Sequence, residues 1–391
     1  MRDTFENTEI SLALKSDSEL DRALFLFEII KREPLVRIGA LVTKFAINMG
    51  LPVEKLIRST VFDHFCGGVS ELDCLNIIQK MFSKNVYAVL DYSAERKEED
   101  EQFHYSMTKT LNTLEYAKDN RAIPFVVFKP TGFGRFDIYQ KIQKKISLNK
   151  YEAIEWISIK DRYHTVCSRA HAYGIPVLID AEESWMQDAA DNLIEEMMEI
   201  YNKEKAIVFG TIQAYRWDRL DYLKDLHEKS KIGNFKIGIK LVRGAYMEKE
   251  RQRALKKGYE DPICKTKKAT DELYNDILKY MIENLDHIAV FAGTHNEASS
   301  YMLMNLIEKK KLFKNDKRIW FGQLYGMSDH ISFNLSELSY NVAKYLPFGP
   351  VRDVMPYLIR RAEENTSVAG QTSRELEIIR KEIKRRKEVK N

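Results

Sequence analysis

Residues 345–365, YLPFGPVRDVMPYLIRRAEEN, read as the end of a strand, a tight turn and a helix. Val342–Leu346 is β-rich, and Pro347-Phe348-Gly349-Pro350 has turn chemistry. Tyr357, Arg360, Arg361 and Glu364 follow at i, i+3, i+4 and i+7, so they share one helical face. Two adjacent guanidinium groups behind an aromatic ring make a clamp. Arg forks match a carboxylate bidentately and never lose their charge. Arginine pairs are also common on solvated helix faces, so position has to decide. A face of this kind at the C-terminal mouth of a last strand is where (β/α)8 barrels bind ligands.

Upstream of this stretch, short apolar runs alternate with longer charged helical segments from residue 85 onward. The runs are Val86–Tyr92, Pro124–Lys129, Pro176–Asp180, Ala206–Gln213, Ile237–Val242, Ile288–Ala292, Arg318–Gln323 and Val342–Leu346. Repeated strand-then-helix units predict an α/β chain closed as a (β/α)8 TIM barrel rather than an open sheet. No Gly-x-Gly-x-x-Gly follows any of these strands, which disfavours a dinucleotide-binding Rossmann fold. Residues 136–173 form a helical insertion longer than a standard crossover. Residues 1–83 read as an N-terminal helical arm, with 84–391 as the barrel. In the arm, Ser16-Asp17-Ser18-Glu19 has capping-box spacing before Leu24–Ile30, Pro34 breaks that helix, and Gly50 with Pro52 ends the next. A C-terminal helix from Arg374 carries Leu376, Ile379 and Ile383 on one face and is expected to dock on the barrel. Its other face gathers Lys381, Lys384, Arg385, Arg386, Lys387 and Lys390, the composition of a weak, salt-sensitive peripheral membrane contact.

The totals exclude several classes. The chain has 391 residues, 44% of them hydrophobic and 31% charged, which is ample material for a core. Lys+Arg 62 against Asp+Glu 58 leaves +4, too slight a bias for a nucleic-acid partner. Cys66, Cys74, Cys167 and Cys264 show no CxxC spacing and read as reduced thiols of a cytoplasmic protein. The acidic start MRDTFENTEISLALKSDSELD lacks the apolar region of a signal peptide and the basic character of a transit peptide. No apolar run reaches the roughly 18 residues of a membrane span.

Chemistry in a barrel sits at the C-terminal ends of the strands. Those ends hold Lys129, then Asp180 with Ala181, Glu182 and Glu183, then Gln213 with Tyr215, Lys240 with Arg243, Thr294-His295-Asn296, and Tyr325. Singly, each has a structural explanation: a buried ion pair for Lys129 and Asp180, a satisfied core histidine for His295, backbone pairing for Gln213. Their recurrence at strand ends points to a site. No HExxH or His/Cys cluster supports a metal; the Asp180–Glu183 run has the acids for Mg²⁺, but Lys129 argues for a salt bridge instead. No G-x-S-x-G elbow supports a serine hydrolase.

At these residues the chain resembles the proline dehydrogenases. The matching stretches are FKPTG (128–132), LIDAEES (178–184), TIQAY (211–215), KLVRGAY (240–246), THNE (294–297), QLYGM (323–327), YLPFGP (345–350) and YLIRRAEEN (357–365), one per barrel element in family order. The resemblance implies a distorted (β/α)8 barrel that holds FAD non-covalently. It further implies hydride transfer from C5 of L-proline to flavin N5, giving Δ1-pyrroline-5-carboxylate, the first step of proline degradation to glutamate. Carried over by position, Arg360 and Arg361 hold the proline carboxylate. Tyr345 and Tyr357 wall the ring, with Leu324 on an apolar side. Lys129 and Asp180 pair beside the substrate. Asp180 and Lys240 are the catalytic candidates. Gln213 and Lys240 contact the isoalloxazine, Ala181 belongs to the cofactor set, and Arg243, Gly244, Ala245 and Tyr246 follow the cofactor. Thr294 and His295 hold its ribityl or pyrophosphate part, and Glu364 joins that set by pairing with an arginine of the clamp.

Much of the bacterial family has Arg where this chain has Lys240; a lysine can donate one hydrogen bond to N5 but cannot fork. The chain ends without an aldehyde dehydrogenase or DNA-binding module, so the resemblance implies a monofunctional enzyme whose product passes to a separate pyrroline-5-carboxylate dehydrogenase. It also implies a membrane quinone as electron acceptor, met from the cytoplasm, peripherally at the inner membrane of a bacterium. The rivals are a hydroxyproline dehydrogenase on the same fold, which Tyr345 disfavours by crowding the hydroxyl position, a Schiff-base aldolase barrel using Lys129 or Lys240, and a non-catalytic amino-acid-binding barrel.

Overall fold

The computed structural model describes residues 3–32, 49, 58–93, 100–367 and 371–390, without the side chains of 59, 60, 360–367 and 371. The expected breaks at Pro34, Gly50 and Pro52 lie outside the described residues, as do the side chains of Arg360, Arg361 and Glu364.

Eight strands close a barrel in chain order: β1 (Val86–Tyr92), β2 (Phe125–Phe128), β3 (Val177–Ile179), β4 (Val208–Gln213), β5 (Ile237–Val242), β6 (Ile288–Gly293), β7 (Ile319–Leu324) and β8 (Val342–Phe348). The expected (β/α)8 barrel is the observed fold, and every strand lies at its expected place to within about two residues at each end. The chain packs as two compact units. One is Met1–Arg96, His295–Glu297 and Gly322–Asn391; the other is Lys97–Thr294 and Ala298–Phe321.

In the second unit, β2 to β6 pair in parallel, and strand alternation separates an inner face from an outer one. Gly210 of β4 marks the outer face, since a Cβ there would meet Ile194 and Met198 of the helix Ser184–Tyr201 at 3.1 and 3.4 Å. Phe209, Thr211 and Gln213 therefore point inward. Phe125 of β2 meets Phe209, Phe291 and Trp320 edge-on at 5.7, 5.2 and 5.1 Å between ring centroids, a dry aromatic floor. Gly238 of β5 makes room for it: a Cβ there would stand 2.5 Å from the Phe209 ring. Continuing the alternation places Lys129, Gln213 and Lys240 on the same inner side, beyond the floor toward the strands' C-terminal ends. On the outer side, Phe128 stacks on Phe133 at 4.2 Å and meets Tyr163 edge-on. Tyr163 belongs to the expected helical insertion, which forms two helices, Phe136–Gln143 and Lys150–Tyr173, the second opened by a capping box at Asn149.

In the first unit β1 and β8 pair in parallel from Val86↔Val342 to Tyr92↔Phe348. This corrects one expectation: Pro347 and Phe348 belong to the strand, not to the turn. Proline lacks a donor but keeps its acceptor. The Pro347 carbonyl accepts the Gly67 N–H at 2.8 Å and the Phe348 carbonyl accepts that of Ser93 at 3.1 Å, so the strand continues past the proline. The turn comes at Gly349, whose φ of +144° suits glycine, and the helix Val351–Ser367 follows with Pro356 inside it.

The predicted capping box at Ser16 opens the helix Asp17–Ile30. The C-terminal helix Gln371–Lys390 docks by Leu376 and Ile379, as expected, but on the N-terminal helices: both lie in one apolar cluster with Leu20, Ala23, Phe27 and Ile30. Its basic face is not bare either. Lys381 pairs with Glu6 at 3.1 Å, Arg385 with Glu9 at 3.4 Å, and Arg386 and Lys390 with Asp17 at 2.9 and 2.6 Å. Arg385 and Arg386 also hold Glu382, a carboxylate buried to 0% exposure. Burial raises the Glu382 pKa, but hydrogen bonds from Arg385, Arg386 and Thr8 outweigh it and bring it down to about 2. The sequence shows the cations and hides these acids, which come from the other end of the chain. Lys381, Lys384 and Lys390 nevertheless keep side chains 50%, 78% and 68% exposed. Among the described residues no helix is long and apolar enough to cross a membrane.

Gly238→Ala should force the added Cβ into the Phe209 ring and destabilise the protein by ~1–3 kcal/mol, the usual cost of overpacking. Urea unfolding measures it. A midpoint equal to wild type would mean that the floor has slack.

Candidate active site

The segment leaving β3, Asp180-Ala181-Glu182-Glu183-Ser184, gathers the polar chemistry of the second unit. The Asp180 N–H is held by the Phe128 carbonyl at 2.9 Å. One oxygen of its carboxylate accepts a short hydrogen bond from the Lys240 ammonium, and the other stands 4.0 Å from Lys129 Nζ. Lys240 is 6% exposed, whereas the Lys129 side chain is 30% exposed. The expected pair is thus a triad in which Lys240 is the closer partner. Two cations around one carboxylate make burial of these charges tolerable.

The remaining acids of the run are engaged by protein groups. Glu182 accepts the Thr131 N–H at 2.8 Å and the Thr131 hydroxyl at 2.6 Å, while burial, opposed by those bonds, pushes its pKa up to about 7. Glu183 pairs with Lys249. The Ser184 N–H and hydroxyl both donate to Glu250, each at 2.6 Å. Among the described residues no group of three or more His, Cys, Asp or Glu side chains is arranged to hold a metal ion.

Gln213 is buried at the inner end of β4. Just past β5, Arg243 is fixed on three sides: Nε to Asp271 at 2.6 Å, Nη1 to Thr294 Oγ1 at 2.8 Å and Nη2 to Ser299 Oγ at 3.0 Å. Its guanidinium lies 4.3 Å over the Tyr274 ring. Burial raises the Asp271 pKa, but hydrogen bonds from Lys267 and Arg243 prevail and lower it. Gly244 has φ +123°, and a Cβ there would meet the Tyr215 ring at 2.6 Å, so glycine is required by the close approach of this turn. Gly244 and Ala245 are exposed, and Tyr246 precedes the helix Met247–Lys257. Arg243 and Thr294, read separately at two strand ends, come together here, with Asp271, Tyr274 and Ser299, which lie on helices with no motif to mark them.

In the first unit, Lys344 of β8 is fully buried and faces the helix Asp329–Glu337, pairing with Asp329 at 2.6 Å and donating to the Met327 carbonyl at 2.7 Å. Alternation then turns its neighbour Tyr345 to the inner face. Lys15 stands 3.5 Å from the other Asp329 oxygen. Burial raises the Asp329 pKa, yet Lys344 and Lys15 overcome it and hold the group at about 2. Beside this pair, His64 bonds the Gly326 carbonyl at 3.0 Å, and burial lowers its pKa to about 3, so it is neutral. His295 is tied at both nitrogens, Nδ1 to the Ser328 hydroxyl at 2.9 Å and Nε2 accepting the Leu324 N–H at 3.4 Å. Leu324 packs against the apolar cluster that contains Tyr357, so these two expected wall residues share one core. Arg360, Arg361 and Glu364 lie in the helix Val351–Ser367 at the spacing of one face. Nothing in the sequence announces the Lys344–Asp329–Lys15 network, because a lysine inside an apolar strand carries no motif.

Known proteins resemble this chain. Residues 74–374 match the family model described as Proline dehydrogenase. The carbapenem antibiotics biosynthesis protein CarD of Pectobacterium carotovorum subsp. carotovorum is 35% identical over 301 residues, covering 77% of this chain and 78% of that one. Proline dehydrogenase 2, mitochondrial, of Arabidopsis thaliana is 30% identical over 377 residues, covering 85% of this chain and 79% of its own. Among solved structures, proline utilization A from Bdellovibrio bacteriovorus superposes with a TM-score of 0.70 at 22% identity. It covers 92% of this chain, which spans only 38% of that longer protein, and the likeness concerns the fold alone.

Asp329→Asn should leave Lys344 buried without its charge partner and lower stability at neutral pH by ~3–5 kcal/mol. Because the folded Asp329 pKa is depressed to about 2, its contribution is complete above the unfolded carboxyl pKa of about 4 and is lost as pH falls through about 2. Urea titrations at several pH values should show the gap between wild type and variant closing across that window. A gap independent of pH would rule out the ionised pair as its source.

Proposed function

The chain belongs to the proline dehydrogenase family, and from that premise we propose that it oxidises L-proline to Δ1-pyrroline-5-carboxylate with bound FAD and passes the electrons to a quinone. The observation that carries this reading is the Asp180–Lys240–Lys129 triad, built on a buried Lys240, on the inner face of the barrel. The donor set fits a flavin dinucleotide. Lys240 and the Gln213 amide suit an electron-poor ring that gains negative charge, and Arg243 with Thr294 suits a diphosphate. FAD, when bound, supplies at its N5 the acceptor for the hydride leaving proline C5.

The protein's own part is to bind, orient and keep water out. Arg360 and Arg361 take the carboxylate, the one strong handle on a small zwitterion. Tyr345 and Tyr357 wall the ring, and Leu324 closes an apolar side. The aromatic floor of Phe125, Phe209, Phe291 and Trp320 seals the barrel beneath the triad and lowers the local dielectric. Asp180 holds Lys240 in place, so the ammonium is aimed before substrate arrives. Gly244 and Ala245 let backbone approach the cofactor; Tyr246, Ala181, His295 and Glu364 complete its surroundings. His295, bonded to the Ser328 hydroxyl and the Leu324 N–H, serves by anchoring the C-terminal end of β7 as well as by facing the cofactor.

Anaerobic addition of L-proline to the flavin-loaded protein should bleach the flavin absorbance. No bleaching, or trapping of a lysine adduct by borohydride, would overturn the proposal. Arg361→Met should cost ~2–5 kcal/mol in kcat/KM, since a desolvated carboxylate loses a bidentate partner, with Arg360→Met similar and the two not additive. Values within threefold of wild type for both variants speak against the clamp. Tyr345→Ser should lower activity on proline and narrow the gap to trans-4-hydroxyproline, because a wall is lost and space for a hydroxyl gained. An unchanged ratio of kcat/KM values would remove Tyr345 from the specificity wall.

A further inference from the structure

We infer that Glu182 is a positioning residue: its buried carboxylate clamps the turn leaving β2 onto the segment leaving β3, and so sets the reach of Lys129 toward Asp180. The role of Lys129 beside the substrate rests on the function proposed above; the clamp itself rests on the following contacts.

The Lys129 ammonium stands 4.0 Å from Asp180, at the outer edge of ion-pair contact, so a small shift of the backbone that carries it makes or breaks that contact. Lys129 opens the single turn Pro130–Gly132. That turn is pinned from two sides: the Pro130 carbonyl accepts the Tyr139 hydroxyl at 3.0 Å, and Thr131 gives both its N–H and its hydroxyl to Glu182.

Glu182 is built for this. It is 6% exposed, and each of its carboxylate oxygens takes one Thr131 donor, at 2.8 and 2.6 Å. Its own N–H donates to Gln187 Oε1 at 2.7 Å, and Gln187 in turn donates to Asp191 at 2.7 Å, so its backbone is moored to the helix Ser184–Tyr201. A carboxylate serving only as a helix cap would accept from the first amides of its own helix. The Glu182 carboxylate accepts instead from a residue 51 positions earlier, on the other side of the Lys129–Asp180 pair. A carboxylate satisfies two donors at once, whereas an amide presents a single acceptor oxygen.

The charges facing Glu182 set its pH response. Glu183 repels it, Lys129 attracts it, and the hydroxyls of Tyr139 and Tyr163 lie close by. Burial dominates and raises the pKa to about 7. The clamp is therefore complete above that pH and loosens below it, when one oxygen carries a proton.

The test uses the flavin-loaded full chain with Glu182→Gln, Thr131→Val and Thr131→Ser, each alone and with Lys129→Ala. Two quantities are read: KM for proline against kcat, and the dissociation constant of cyclopentanecarboxylate followed by perturbation of the flavin spectrum. Glu182→Gln and Thr131→Val should each raise KM and the dissociation constant about tenfold, the usual loss for one charge-assisted hydrogen bond, with kcat changing less. Thr131→Ser, which keeps both donors, should restore wild-type values. In the Lys129→Ala background the Glu182→Gln effect should vanish, because the clamp acts through Lys129. The rise in KM of wild type as pH falls through about 7 should be blunted in Glu182→Gln. Additive effects of Glu182→Gln and Lys129→Ala, or an unchanged KM in both clamp variants, overturn the inference. If Glu182→Gln fails to fold, the Thr131 pair decides by the same readouts. A wild-type protein whose flavin proline does not bleach overturns the proposed function and this inference with it; bleaching in wild type with inert clamp variants overturns the inference alone.

Discussion

Buried charge must be neutralised locally, and the second unit is arranged around that requirement. Lys240 is an ammonium at 6% exposure on the inner face of a strand, which only a close carboxylate makes tolerable. Asp180 supplies it, and Asp180 lies one residue past β3, held by a backbone bond to β2. The pair therefore cannot form unless β2, β3, β4 and β5 are in register, because the charges are carried on opposite flanks of that run. The aromatic floor makes the same demand from the other side: Gly238 must be opposite Phe209 for the rings to meet. Register in this half of the barrel is set twice, once by shape and once by charge, and a slip of one residue would break both.

Asp180-Ala181-Glu182-Glu183-Ser184 then spreads that order outward. Asp180 fixes Lys240, Glu182 fixes the turn after β2, and Glu183 and Ser184 fix Lys249 and Glu250 of the helix that follows Tyr246. Apart from the small Ala181, the side chains of the run reach a strand, a turn and one helix. An acidic run of this kind invites a metal reading, but every carboxylate in it has a protein donor or cation as its partner. The acids are the means by which loops from three strands are held in one arrangement.

How much of this is legible in the sequence follows from what kind of signal each feature leaves. Strands announce themselves by short β-rich runs bounded by turn residues, so all of them can be found. Lys129, Asp180, Gln213, Lys240 and Arg243 stand out because strand ends are the expected place for barrel chemistry. Pairings are harder. The sequence matches Asp180 to Lys129, when Lys240 is closer, since spacing along the chain says nothing about which lysine has the shorter reach across the barrel. Thr131 with Glu182, and Arg243 with Asp271 and Ser299, join residues separated by 51, 28 and 56 positions. Pro347 misleads in the opposite direction: a proline in a turn-like tetrapeptide is read by its missing donor, while its carbonyl is what the strand uses.

The first unit shows the same physics with a different outcome for the chain's ends. The cations of the C-terminal helix look like a surface for an anionic partner because their acids lie near residue 1. Once Glu6, Glu9 and Asp17 are brought alongside, the apolar stripe and the charged stripe of that helix have the same partner, the N-terminal arm. Exposed ion pairs contribute little singly; Glu382 differs because it is buried between Arg385, Arg386 and Thr8. The helix is thereby keyed to the arm in one register. It reaches further through Glu375, whose carboxylate accepts the Ser328 N–H at 2.6 Å, while the Ser328 hydroxyl bonds His295. By these contacts the C-terminal helix is a brace for the turn that follows β7.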